Sequence, residues 1–394
     1  MGAESVVDRP RSSPRTDREC RRVLILSGQA FSLLNFRGPL IQDLRERGHE
    51  VVACTPQDAH TEGLRRRVEG GGVRLETVPL KRRSLTPFYD FRTIRALTAL
   101  FQRLRPDRVL AYMAKPIVYG GLAARRAGNT HFVPMFTGLG CAFGGRHTLR
   151  ALFAERAYLT LYRCALGSAA AVIFQNPEDR NLFRARRLVP PSTPTLRVHG
   201  SGVDLMRFRE TPLPRQPVFL MLSRLLASKG VREYVGAAEI VRRSFPGARF
   251  QLAGPMEQGV EAVAAREVER WVAEGRVEYL GRLEDVRPAL ANARFVVLPS
   301  YYREGVPRSL LEALAVGRPV ITTDTPGCRE TVDDGRNGRL VAPRSAEALA
   351  GSMLELLQVP DADTKAMGRA SRRLAETRYD VRAVNQEIIR ALAL

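Results

Sequence analysis

The chain has 394 residues, of which 44% are hydrophobic, so it can bury a sizeable core in about two domains and is not globally disordered. Lys and Arg number 62 against 41 Asp and Glu, and the resulting formal charge of +21 predicts an anionic partner. A nucleic acid, an acidic membrane surface and a phosphorylated substrate all fit that charge.

Residues 1–20 contain no apolar segment, so they are predicted to form a disordered leader and not a secretory signal. The chain has no run of about 18 apolar residues, the length that a membrane-spanning helix needs. Its five cysteines are scattered and show no metal-site spacing, as expected of a protein in a reducing cytoplasm.

From residue 21 onward, short segments rich in β-branched residues alternate with helical segments, twice over. In the first half, strands are predicted at 22–27, 50–54, 73–78, 108–112, 132–136 and 171–174, and helices at 36–47, 89–104, 117–126 and 147–166. In the second half, strands are predicted at 218–223, 249–253, 277–280, 295–299, 320–323 and 339–341, and helices at 231–243, 259–274 and 307–316. This alternation predicts an α/β fold with two doubly wound parallel sheets of about six strands each.

The segment 203–217 contains three prolines and no periodicity, so it marks a domain boundary. We therefore predict one domain at 21–203 and a second at 204–377, with a C-terminal helix at 378–394 that crosses back to the first. Two such domains face each other across a cleft, and ligands bind at the carboxyl ends of the strands that line it.

The sequence Glu304-Gly-Val-Pro-Arg-Ser-Leu-Leu-Glu312 follows the predicted strand 295–299 and opens a helix. Pro307 suits the first helical position, which would leave the amides of the first turn free to bind an anion such as phosphate. Those amides belong to Arg308, Ser309 and Leu310.

The two glutamates of this motif are too far apart to share a proton. With 1.5 Å of rise per helical residue, they lie on the order of 12 Å from each other. They could hold opposite ends of one extended polar ligand. Taken alone, a glutamate such as Glu312 is more often a solvated helix residue.

A second motif, Arg224 to Lys229, follows the first strand of the second domain. An arginine fork and a lysine point charge on one strand-to-helix loop can hold a diphosphate between them. Lys229 is one of only four lysines in a chain rich in arginine, which suggests that lysine is specifically needed there. The alternative is a pair of solvated loop residues.

Three further motifs follow strands of the first half. Gly28 permits a close approach of backbone to ligand, and Lys115 either meets an anion or lies on the surface. Thr137 and Gly138 begin a glycine-rich loop that is similar to G-x-G-x-x-G. Its third glycine is displaced and it lies outside the first strand–helix unit, which excludes a nicotinamide or flavin site.

A possible metal motif of the D-x-D type, at 361–363, is expected in a polar loop between two C-terminal helices, away from the cleft.

These motifs together resemble the retaining family 4 glycosyltransferases, which have the GT-B fold. Glu304 and Glu312 match that family's E-x7-E signature, and Arg224 and Lys229 match its phosphate-binding pair. The resemblance is tighter to a bacterial subgroup that extends undecaprenyl-diphosphate-linked sugars for capsule, O-antigen or protein glycans, including N-acetylgalactosaminyltransferases that act on bacillosamine. The segments that carry this second likeness are 35–39, 115–116, 137–140, 175–177, 200–204 and 325–330.

The resemblance implies roles for the motif residues. Glu312 would accept hydrogen bonds from the ribose, Glu304 would bind the donor sugar, and Arg224 and Lys229 would neutralise the departing diphosphate. Further donor-binding positions are Arg308, Ser309, Leu310, Leu283 beside the base and Gly28 near the phosphates. The candidates on the acceptor side of the cleft are Lys115, Thr137 and Gly138, and the last two stand where many family members have a catalytic histidine.

The implied reaction moves a hexose or N-acetylhexosamine from a UDP-sugar to a polyprenyl-diphosphate-linked saccharide, without a metal or other cofactor. Fixed cations and helix amides would stabilise the charge of the leaving diphosphate. Front-face attack, with the leaving phosphate taking the acceptor proton, is favoured over a double displacement through Glu304. Such an acceptor implies a cytoplasmic enzyme attached peripherally to the inner face of the plasma membrane.

Two alternatives stay open. A nucleotide-sugar 2-epimerase shares the fold, although no carboxylate–histidine set for it can be assembled from the motifs. The charge also allows a nucleic-acid-binding protein, but the chain has a single Trp and no basic motif interleaved with aromatic residues. We therefore expect no nucleic-acid partner.

Basic residues of the first half predict contact with an anionic membrane. They cluster at 81–83 and recur beside apolar residues along 147–166. Each basic residue near anionic headgroups contributes about 1 kcal/mol of attraction. For 147–166, the alternative is a helix packed on the first-domain core with solvated arginines.

Overall fold

Two parallel β-sheets, one in each half of the chain, form the framework of the protein. The computed structural model describes residues 20–81, 87–128, 131–139 and 149–394. Strands β1 to β7 are Arg22–Leu26, Glu50–Pro56, Arg74–Val78, Arg108–Tyr112, His131–Phe136, Val172–Phe174 and Thr195–Arg197. Strands β8 to β13 are Val218–Leu222, Arg249–Ala253, Glu278–Tyr279, Phe295–Leu298, Val320–Thr323 and Gly338–Val341.

The strand order in both sheets is that of a doubly wound fold. The first sheet runs β3-β2-β1-β4-β5-β6-β7 and the second β10-β9-β8-β11-β12-β13, and the pairings between these strands are parallel. The order reverses between β1 and β4 and again between β8 and β11. Ligands of such folds bind at these two switch points. The predicted α/β architecture of two Rossmann-like domains is confirmed.

Helices alternate with the strands in both halves. In the first, α1 to α6 are Ala30–Glu46, Thr61–Glu69, Pro87–Leu104, Ala114–Ala127, Leu149–Leu166 and Pro177–Ala185. In the second, α7 to α13 are Val231–Ser244, Ala265–Ala273, Arg287–Asn292, Arg308–Ala315, Ala346–Gln358, Asp361–Arg378 and Val381–Ala391.

Both faces of the first sheet are buried, which explains why its strands read as continuous apolar runs. Val23 and Ile25 face one core, to which α1, α2 and α13 contribute. Leu24 and Leu26 face the opposite core, beneath α3, α4 and α5. Alternate strand residues point to opposite faces, so one short run serves both cores.

The structure differs from the prediction at several elements. The first sheet has a seventh strand, β7, whose three residues are only half-buried and so show no apolar pattern. Helix α1 begins at Ala30 and not at residue 36, because Ala30 and Leu33 continue its buried face. Helices α2, α6 and α9 are short and were not predicted.

The C-terminal helix lies against the first domain. Val203 of the linker donates its N–H to the Tyr379 carbonyl at 2.8 Å, and its own carbonyl accepts from the Val381 N–H at 3.1 Å. From there α13 packs on α1, where Asn385 Nδ2 donates to Asp43 Oδ2 at 2.7 Å. The linker and the segment before α13 thus pass between the domains side by side.

Candidate active site

Glu304 lies between the two domains, in the loop that joins β11 to α10. Its Oε2 accepts a hydrogen bond from Lys229 Nζ at 2.5 Å, and its Oε1 accepts one from Ser300 Oγ at 2.7 Å. The side chains of Lys229 and Glu304 are only 11% and 14% exposed. The structure therefore joins two predicted site residues into one largely buried ion pair.

A left-handed glycine brings Lys229 to this position. Lys229 ends a 3-10 turn, Ala227–Lys229, and Gly230 follows with φ +78. A side chain at Gly230 would collide with the carbonyl of Pro299, just after β11. Because glycine alone fits there, the loops after β8 and β11 pack backbone to backbone and Lys229 reaches Glu304.

Arg224 shares the loop of Lys229 but has a different partner. Its Nη1 donates to Glu257 Oε1 at 3.4 Å, and its side chain is 35% exposed. The predicted phosphate clamp thus consists of two cations that each have a carboxylate neighbour. A lysine ammonium carries three donors, so Lys229 can bond a phosphate oxygen in addition to Glu304.

Glu312 lies one turn into α10 and pairs with Arg308, the first residue of the helix. Arg308 Nε donates to Glu312 Oε1 at 2.7 Å, and Glu312 is 12% exposed. Burial raises the pKa of Glu312, and the neighbouring Arg308 opposes this shift. Arg308 also lies 5.4 Å from the ring centre of Phe36 in the first domain. The Glu312 side chain is therefore largely buried beside Arg308 at the cleft and is not an ordinary solvated helix residue.

The start of α10 corrects one expectation about its amides. The helix begins at Arg308, after Pro307, and the Leu310 N–H donates to the Pro307 carbonyl at 3.2 Å. That amide is already bonded and is not free for a ligand. The first amides of a helix have no intrahelical acceptor, so those of Arg308 and Ser309 are the ones placed to meet an anion.

Two loops of the first domain contact the loop that carries Glu304. The Thr137 carbonyl, just after β5, accepts from the Gly305 N–H at 3.1 Å. Asn176, just after β6, donates from Nδ2 to the Glu304 carbonyl at 3.4 Å. Thr137 and Gly138 were predicted to lie in the cleft, whereas no role was predicted for Gln175 and Asn176. The available signal was Asn176-Pro177, a favoured helix start, and Asn176 does cap α6.

Three further predicted positions lie against residues of their own domains. Lys115 Nζ donates to the Lys81 carbonyl at 2.7 Å and to Asp90 Oδ1 at 3.3 Å, so its charge is paired within the first domain. A Cβ at Gly28 would lie 3.0 Å from Met113 Sδ, also in the first domain. Leu283 is half-buried against the second-domain core.

The D-x-D motif lies in the first turn of α12 and not in a loop. Asp361 binds Arg294 Nη2 at 2.9 Å and Lys365 Nζ at 2.8 Å. Within the described parts of the chain, no cluster of three or more His, Cys, Asp or Glu side chains could hold a metal ion.

Two family models match consecutive parts of the chain. Residues 38–200 match the model described as "Glycosyl transferase 4-like domain", and residues 216–359 match "Glycosyl transferases group 1". The two matches meet at the linker between the sheets.

Among curated proteins, the chain is similar to the N,N'-diacetylbacillosaminyl-diphospho-undecaprenol alpha-1,3-N-acetylgalactosaminyltransferase of Campylobacter jejuni. The two are 27% identical over 351 residues, which covers 86% of this chain and 89% of the relative.

Solved structures share the fold. A sucrose-phosphate synthase from Thermosynechococcus elongatus aligns with a TM-score of 0.76 at 20% identity, over 94% of this chain and 98% of that one. Anabaena HepE, in complex with UDP and glucose, aligns with a TM-score of 0.73 at 19% identity, over 95% of this chain and 99% of that one.

Proposed function

This chain belongs to the glycosyltransferases built from a 4-like and a group 1 domain, and we propose that it transfers a sugar from a UDP-sugar to a lipid-linked glycan with retention of configuration. The main support is the largely buried Lys229–Glu304 ion pair at the switch point between β8 and β11. Arg224 lies on the same loop as Lys229, and α10 begins just after the loop of Glu304. The name of the Campylobacter relative describes transfer to a sugar on undecaprenyl diphosphate, which supports that acceptor class.

The second-domain side of the cleft suits a nucleotide diphosphate. Lys229 and Arg224, on the loop after β8, and the first amides of α10 provide positive charge, and such preorganised groups stabilise the charge that develops on a leaving phosphate. Glu312, semi-enclosed at the far end of the motif, would bind the ribose hydroxyls. Glu304, beside Lys229, would then hold the donor sugar at the bond that breaks.

The chemistry needs a leaving group, a nucleophile and a proton acceptor. The acceptor hydroxyl attacks the anomeric carbon from the face that the diphosphate leaves, and a leaving phosphate oxygen takes its proton. Lys229 and Arg224 balance the charge of the departing UDP. Because these cations supply that charge, we propose that no metal ion is required, and Asp361 is instead paired with Arg294 and Lys365.

A donor screen tests this function. The protein is incubated with UDP- or GDP-sugars and a polyprenyl-diphosphate saccharide, and we expect a UDP-sugar to be consumed only when acceptor is present. Turnover should persist in EDTA. Conversion of the donor without acceptor would indicate a 2-epimerase. Loss of turnover in EDTA, restored by Mn²⁺ or Mg²⁺, would contradict the metal-independent mechanism.

Replacing Glu312 with glutamine should weaken UDP binding by about tenfold or more, since a charged acceptor of a hydrogen bond contributes about 1.5–3 kcal/mol. The unreacting ribose is the proposed contact, so kcat should change less than affinity. In the wild type, affinity should fall on acidification, and the raised pKa of Glu312 puts that fall at a higher pH than for an ordinary glutamate. Titration calorimetry with UDP measures the affinity and its pH dependence.

Glu312→Gln should show a nearly flat profile over the same pH range. Equal affinity and equal pH dependence in wild type and variant would contradict the ribose-binding role.

The surface of α3 is our candidate for contact with an anionic membrane. Phe91 is 59% exposed there, and Arg92 and Arg95 are exposed beside it. An apolar ring next to cations suits a headgroup boundary. Of the basic cluster at 81–83, Arg82 and Arg83 lie outside the described residues. No helix in the described ranges combines the length and the apolar character needed to cross a bilayer.

Changing Phe91, Arg92 and Arg95 together to serine should weaken binding to phosphatidylglycerol vesicles at least tenfold at low salt, since each arginine contributes about 1 kcal/mol. Vesicle co-sedimentation measures this effect, which should shrink at physiological salt. The matched control changes Arg66 and Arg67 on α2, which covers the opposite face of the sheet. Equal loss in both variants, or none in either, would remove the α3 surface from the proposal.

A further inference from the structure

The peptide between Glu304 and Gly305 is held by the first domain, whereas the Glu304 side chain is held by the second. Its carbonyl accepts from Asn176 Nδ2 at 3.4 Å, and its N–H donates to the Thr137 carbonyl at 3.1 Å. Both partners belong to the first domain. The carboxylate of Glu304 is bonded to Lys229 and Ser300 of the second domain. One residue of the proposed site thus depends on both domains for its position.

Glycines on both sides make this contact close. A Cβ at Gly138, where φ is +109, would lie 2.5 Å from the Gly305 nitrogen and 2.6 Å from the Glu304 Cα. On the second-domain side, a Cβ at Gly327 would collide with the Gly305 carbonyl oxygen. A Cβ at Gly305 itself would collide with Gln175 Oε1 of the first domain. The peptide is enclosed between the two domains with no room for a methyl group on either side.

Further polar contacts surround the enclosed peptide. Gln175 Oε1 accepts from the Val306 N–H at 3.3 Å. Asp179, only 1% exposed, accepts from Arg303 Nη2 at 3.3 Å, and Glu178 pairs with Arg329 at 2.8 Å. Each of these contacts joins the loop after β6 or the first turn of α6 to the second domain. Several contacts between the domains therefore lie at or near the loop that carries Glu304.

We propose that Gly138, Gln175 and Asn176 are positioning residues: the first domain holds the 304–306 backbone, so that the Glu304 carboxylate is correctly placed only while the domains are in contact. This inference rests on the proposed role of Glu304 in transfer. Its consequence is that the acceptor-side domain controls catalysis on the donor side without touching the donor. Changes at these three positions should alter kcat and leave nucleotide affinity unchanged.

Gly138→Ala is the principal test. The added methyl would push the Glu304–Gly305 peptide away, and misplacement of a reacting group by about 1 Å can cost about 100-fold in rate. We expect kcat to fall by about that factor, with UDP affinity within twofold of wild type. Gly48→Ala is the matched control, because Gly48 also has positive φ, at +87, but nothing lies within 4 Å of its Cβ position. It shares the backbone strain without the domain contact.

Two milder variants cover the case in which Gly138→Ala does not fold. Asn176→Ser keeps a good helix cap and removes the donor to the Glu304 carbonyl, and Gln175→Met keeps the length and removes the acceptor of the Val306 N–H. Each should lower kcat about tenfold, the factor for one lost hydrogen bond of about 1.4 kcal/mol. A lower unfolding temperature with unchanged kcat would show that the contact serves only to pack the domains, and would overturn the proposal.

Hydrogen exchange separates this inference from the proposed function. The amides of Gly305 and Val306 should exchange faster in Gly138→Ala and Gln175→Met than in wild type or Gly48→Ala, whatever reaction is catalysed. Unchanged exchange in both variants would overturn the positioning role. Absence of sugar transfer by the wild type, with the exchange differences present, would contradict the proposed function and leave the domain contact established.

Discussion

Replacing Lys229 with alanine is expected to lower turnover by about 100-fold or more, comparable to the loss of one preorganised donor to a developing oxyanion. Lys229 is largely buried beside Glu304, so its charge would act at short range on the proposed leaving group, the diphosphate of UDP. That charge matters most as the diphosphate departs, so kcat should fall more than UDP affinity. Arg224→Ala should have an effect of similar order. Steady-state kinetics with calorimetry of UDP binding provide both quantities.

The controls must separate lost catalysis from lost stability. Lys229→Ala leaves the Glu304 carboxylate without its ion-pair partner, which by itself destabilises a buried site. The double variant Lys229→Ala with Glu304→Gln removes that unpaired charge, and its unfolding temperature should recover while its turnover stays low. Lys365→Ala removes a lysine that is 47% exposed and paired with Asp361, and should be silent. Wild-type turnover in an Arg224→Ala, Lys229→Ala variant would contradict the assignment of the diphosphate site.

Glu304→Gln is expected to lower sugar transfer by about 100-fold or more without weakening UDP binding. Glutamine keeps the size of the side chain but removes the charge that we propose orients the donor sugar. The same change removes a negative charge 2.5 Å from the Lys229 ammonium. More positive potential is then available to the diphosphate, so UDP affinity should be equal or higher.

This pattern is the reverse of that expected for Glu312→Gln, which should lose affinity and keep most of kcat. Measuring kcat and the Kd for UDP in both variants therefore assigns the two glutamates separately. Glu355→Gln is the control, since Glu355 is 64% exposed and pairs with Arg339 on the surface. Unchanged kcat in Glu304→Gln would show that the carboxylate takes no part in transfer.

Local patterns predicted the strands and the loops that carry chemistry. Val23 to Leu26 and Phe295 to Leu298 are buried on both faces, so their apolar runs stand out against polar turns. Ligand loops follow such strands in a doubly wound fold. The prediction therefore located Lys229 and Glu304 in a shared cleft.

Where local patterns were weak, the prediction failed for identifiable reasons. β7 has only three half-buried residues, too few to show alternation. The N–H of Leu310 was expected to be free, but it donates to the Pro307 carbonyl, three residues back, at the start of α10. Lys115 was expected either to meet an anion or to lie on the surface, and it instead pairs with Asp90 of α3.

The sequence by itself determined the α/β fold, the division into two domains and the motif that contains Glu304 and Glu312, because periodicity and turn chemistry act over a few residues. Only the tertiary structure decided which groups meet. Lys229 and Glu304 are separated by 75 residues, and Asn176 and Glu304 by 128. Such contacts depend on how sheets pack and how the domains face each other, and both are set by the sum of many distant side-chain contacts.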